Sequence, residues 1–157
     1  MKAETQANSL ASLVQTKKKY PEYELALLPF EVKQSKLKKL ELGDVLLVGL
    51  NQLELVLFDE VEICANVSIF RDKNIQRIKI EYLHNAIKKE HTKKYEKIKC
   101  SFGKIQSRKL EVGYKVSILQ LNLQEVKLFV KDENIAEGTL VKVDDEIAIQ
   151  VTKVNDV

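Results

Sequence analysis

A short phrase that occurs twice constrains this chain more than any other feature. Lys-Leu-Glu-Leu-Gly at 39–43 returns as Lys-Leu-Glu-Val-Gly at 109–113, a spacing of 70. Further matches fall at a spacing of 72: Phe30, Gln34 and Ser35 with Phe102, Gln106 and Ser107, and Ile63, Asp72 and Ile75 with Ile135, Asp144 and Ile147. This ordered set predicts an internal duplication in which two residues have moved between loops. Asn66 then stands opposite Gly138. Both residue types enter the left-handed backbone region at low cost, so the pair predicts a shared turn or bulge position. Gly43 and Gly113 predict a second one. Copies this small bury too little surface to be stable alone, so the two are expected to pack together as a pseudo-symmetric pair.

Both copies read as β structure. Val45–Val48, Leu53–Phe58, Ile63–Phe70 and Ile75–Ile80 are short Val/Ile/Leu runs bounded by Gly, Asn and Asp, the pattern of strands. In the second copy Val126, Leu128 and Val130 alternate with Lys127, Phe129 and Lys131, and Leu140–Val143 and Ile147–Val151 flank Asp144-Asp145. A strand-like segment runs from Tyr23 to Val32, with Pro29 expected at an edge or bulge. Residues 1–21 read as a short helical or flexible lead-in. The lysine-dense stretch 82–99 reads as a connector, partly helical, centred on residues 83–96. The predicted division is therefore 1–21, 22–82, 83–96 and 97–157.

Composition excludes several classes. The 157 residues are 45% apolar and 31% charged with a net charge of +3, which fits a folded chain rather than a disordered one. Cys64 and Cys100 form no paired motif and predict reduced thiols in a reducing cytoplasm. No apolar run reaches the ~20 residues that span a bilayer, and no signal peptide is evident. The five glycines make no phosphate-binding loop. His84 and His91 lack neighbours at ligand spacing, so no metal and no cofactor are expected. Cys64 sits in an apolar run away from both histidines, which leaves it without a base. An enzyme is not expected.

Residues 109–154 resemble the SpoA (surface presentation of antigens) domain. This domain is shared by flagellar switch proteins of the FliM/FliN type and by type III secretion ring subunits. The resemblance rests on Leu110, Gly113 and Val116, then Val126, Leu128, Val130 and Asp132, then Ala136, Gly138, Leu140, Val141 and Val143, and last the strand Ile147–Thr152, which lacks the usual preceding glycine. Residues 24–81 are similar but degenerate, with Cys64-Ala65-Asn66 in place of the Ala-x-Gly turn. The resemblance implies a mainly β protein of two tandem modules packed as an intertwined pseudo-dimer. It also implies a structural and docking role in a cytoplasmic ring or sorting platform. Expected partners are other ring subunits, a regulator of the export ATPase (FliH-like) and further copies of the chain, with membrane contact only through the assembly. A response-regulator phosphatase role is not expected, because no proline follows Pro29 and no Glu-x-x-Asn helix stands out.

Partner-binding residues are expected among Val116, Ile118, Leu119 and Leu121 and their counterparts Val45, Leu46 and Val48, with ordinary core as the competing reading for each. The alternative function is nucleic-acid binding through Lys88, Lys89, Lys93, Lys94, Lys97 and Lys99, with Tyr95 stacking on a base. Glu90 and Glu96 interrupt that run, so nucleic acid remains the weaker expectation.

Overall fold

The computed structural model describes residues 20–60, 62–84, 95–118 and 120–155. They form β1 (Glu22–Leu27), β2 (Phe30–Lys33), α1 (Gln34–Lys38), β3 (Val45–Leu50), β4 (Leu55–Asp59), β5 (Glu62–Asp72) and β6 (Ile75–Leu83). After the connector come β7 (Tyr95–Gln106), β8 (Lys115–Ser117), β9 (Glu125–Val130), β10 (Glu133–Val143) and β11 (Glu146–Val154). The protein is mainly β, and every strand pairing is antiparallel. The expected lead-in at 1–19 and most of the connector lie outside the described residues. Tyr82, Leu83 and Tyr95–Lys99, read above as connector, are strand instead. Ile98, Cys100 and Phe102 recur with period two in β7, and the alternating Lys97, Lys99 and Ser101 lie on the other face.

All eleven strands join one open sheet in the order β3-β11-β10-β9-β7-β1-β4-β5-β6-β8, with β2 paired to β7 beside that path. At its centre β1 lies against β7, with Ala26 opposite Ser101. Outward from there, one flank runs β4, β5, β6 and the other β9, β10, β11. Each flank ends on a strand from the opposite half of the chain. β8 closes onto β6 through Arg77–Ser117, Ile78–Val116 and Lys79–Lys115. β3 closes onto β11 through Ala148–Leu47, Ile149–Leu46 and Gln150–Val45.

The repeated glycines anchor these end strands. The Gly43 N–H donates to the Val151 carbonyl at 2.8 Å, and Val151 N–H returns a bond to Asp44 at 2.7 Å. At the other end Gly113 N–H donates to Ile80 at 2.7 Å and Ile80 N–H to Tyr114 at 2.9 Å. Gly43 (φ +92°) and Gly113 (φ +89°) both hold the left-handed conformation that a side chain would strain.

The strand registers correct part of the sequence alignment. β5 and β10 are each eleven residues long and start at Glu62 and Glu133, a spacing of 71 rather than 72. Asn66 therefore corresponds to Glu137 and Gly138 to Val67. Neither Asn66 nor Gly138 is a turn; both sit within strands beside bulges, between Asn66/Val67 and between Glu137/Gly138. Phe30 pairs with Ile98 as Ile105 pairs with Tyr23, so Phe30 corresponds to Ile105, not Phe102. The spacing there is 75, falling to 70 at the glycines. The difference equals the five residues of α1, which has no counterpart in the second half.

One apolar cluster draws side chains from all eleven strands, among them Leu25, Leu57, Ile78, Ile98, Leu128 and Ile149, all fully buried. The only described helix is five residues long. Without a helical layer, a sheet buries one face this completely only by curling over itself. The central strands are buried on both faces: Ala26, Val56 and Phe58 form a second cluster behind the first.

Candidate docking surface

Strand alternation decides which of the expected partner-binding residues reach the surface. Val116, Ile118, Leu46 and Val48 point inward and are core, so they are not an exposed patch. Leu121 is half-buried, with its Cδ2 against Gly103, and Leu119 lies outside the described residues. Of the expected set only Val45 is exposed, at 39%. Residues two apart share a face, so the outward partner of Val45 is Leu47, exposed at 57%. Leu42, 72% exposed in the turn before β3, adds to them. The sequence reading missed Leu47 and Leu42 by grouping neighbours in sequence rather than alternate residues.

These three side chains stand beside a sheet edge. Among the described residues β3 pairs only with β11, and its six residues carry no charge. Such an edge exposes unpaired backbone donors and acceptors. The pairing to β11 is regular over Val45–Leu47 and shifts register between Ile147 and Ala148, so the strand kinks beyond Leu47. The available surface is therefore a short apolar corner made by Leu42, Val45 and Leu47. A groove of about 540 Å³ lies beside α1, with Leu37, Leu40, Val130, Ile135 and Val154 among its walls and Lys38, Glu96, Lys131 and Glu133 also lining it.

The chemistry elsewhere is structural. Lys99, read above as a connector cation, pairs with Glu24 in the middle of the sheet. Its ammonium lies 5.3 Å from the Phe58 ring and 5.0 Å from the Phe129 ring. Ser101 Oγ donates to the second Glu24 oxygen at 2.7 Å. Burial, with the Asp59 charge adding to it, pushes the Cys64 thiol up to about 11. Burial alone raises the Cys100 thiol. Neither is a thiolate nucleophile near neutral pH. His84 Nε2 meets Asn66 Oδ1 and its ring stacks on Tyr82, while His91 lies outside the described residues. No group of three or more metal-ligating side chains gathers among the described residues, and none of the described helices is long and apolar enough to cross a membrane. No family model and no curated protein matches the chain.

Proposed function

We propose that this protein is a structural and docking subunit of the cytoplasmic ring of a flagellar motor or type III secretion system, acting through protein–protein assembly rather than catalysis. The observation that carries the reading is the exchange of end strands. β3 of the first half lies on β11 of the second, β8 of the second half lies on β6 of the first, and the same register and glycine bonds recur at both places. That is the arrangement expected of two intertwined SpoA-like modules, here within one chain as residues 22–82 and 97–157. The apolar corner at Leu42, Val45 and Leu47 gives such a subunit a place to receive a ring component or the regulator of the export ATPase, in the cytoplasm.

The test is size-exclusion chromatography with light scattering of the full chain, alone and with purified ring subunits and export-ATPase regulators. A stoichiometric complex that weakens about tenfold in Leu47→Lys but not in Val112→Lys is expected, since an interfacial side chain accounts for about 1–2 kcal/mol. A chain indifferent to every such component overturns the reading.

A further inference from the structure

The two ends of the sheet repeat one backbone arrangement but carry opposite surface chemistry. Where the outward face at one end carries Val141, Gln150, Val45 and Leu47 around a buried Ala148, the corresponding positions at the other end hold Phe70, Lys79, Lys115 and Ser117 around Arg77. Lys79 and Lys115 stand directly opposite each other, and like charges in that position destabilise a sheet. Lys115 leans over the Phe70 ring at 5.1 Å, and Arg77 is opposite Phe70 on the next strand. None of the three cations forms an ion pair among the described residues, and the Arg77 Nε is buried with no acceptor there. The nearest carboxylates in the register are Asp72, at the hairpin end opposite Ile75, and Glu81, which accepts a bond from Ser68 Oγ at 2.5 Å.

We infer that the outward face of β5, β6 and β8 is a binding surface for an acidic segment of a partner protein. Three cations held on one face without carboxylate partners cost the free protein stability, and an incoming row of Asp or Glu side chains would remove that cost. An acidic polypeptide fits better than a nucleic acid, because the one aromatic ring in the stripe is covered by Lys115 and cannot stack on a base. This surface is separate from the apolar corner on β3 and does not depend on which assembly the chain joins.

Fluorescence anisotropy of the full chain with a labelled oligo-glutamate peptide tests the inference, with an oligothymidylate of equal charge in parallel. Oligo-glutamate should bind at low salt and weaken as salt rises. Lys79→Glu with Lys115→Glu should weaken it at least about tenfold. Arg77→Gln should weaken it by a smaller factor. Lys104→Glu with Lys153→Glu, an equal charge change at lysines already paired to Glu22 and Glu137, should leave binding nearly intact. The single Lys79→Glu should also raise the urea midpoint, because it places opposite charges across the β6–β8 pair. No binding at low salt, equal weakening by the control pair, tighter binding of the oligothymidylate, or a lowered midpoint in Lys79→Glu would each overturn it.

Discussion

A methyl group added at Gly138 would lie 2.5 Å from Ile149 Cγ2 and 2.8 Å from the Gln150 carbonyl oxygen. The backbone there is ordinary strand, so the glycine answers to a close approach by β11 and not to a positive φ. Val67 occupies the corresponding place in the other half and is itself buried, so the constraint comes from the neighbours rather than the fold. Gly138→Ala should therefore destabilise by about 1–3 kcal/mol, measured as a lowered urea midpoint at constant slope. Gly43 and Gly113 were legible in the sequence because their phrase is repeated and their conformation is one that favours glycine. Asn66 and Gly138 were misread as partners because a one-residue slip is invisible to side-chain type alone. Only the ladder of backbone bonds fixes it.

Among elements, the centre of the sheet carries the most specific pairing. Glu24 on β1 and Lys99 on β7 are largely buried, with side-chain exposures of 16% and 17%. By the spacing that relates Tyr23 to Ile98 they occupy corresponding positions in the two halves. Pairing β1 with a second β1 would bring two carboxylates together, and β7 with β7 two ammonium groups, so the charges favour pairing of the unlike strands. Lys99→Met should cost about 3 kcal/mol, because it leaves the Glu24 carboxylate buried without its cation. Glu24→Met in the same chain should recover most of that loss, and a double-mutant cycle in urea measures both. Most strands were readable from alternation and β-branched content. β7 was hidden by the lysines on its outward face, and α1 is too short to show a helical period and has no side-chain cap.

At the scale of the whole molecule, local pattern is silent about which strand lies beside which. β3 joins β11 across roughly a hundred residues of chain, and the repeat predicts two similar units without saying that they exchange end strands. β3 and its counterpart β8 are the two edges of the sheet, and the apolar corner belongs to β3 alone because β8 carries Lys115 and Ser117 where β3 has Val45 and Leu47. The same exchange makes each half incomplete without the other, so the two should unfold as one cooperative unit. Native-state hydrogen exchange read at the Gly43 and Val151 amides and at the Gly113 and Ile80 amides tests this most directly. All four should open with the same free energy, equal to that of global unfolding. Protection lost at one end of the sheet several kcal/mol before the other would contradict it.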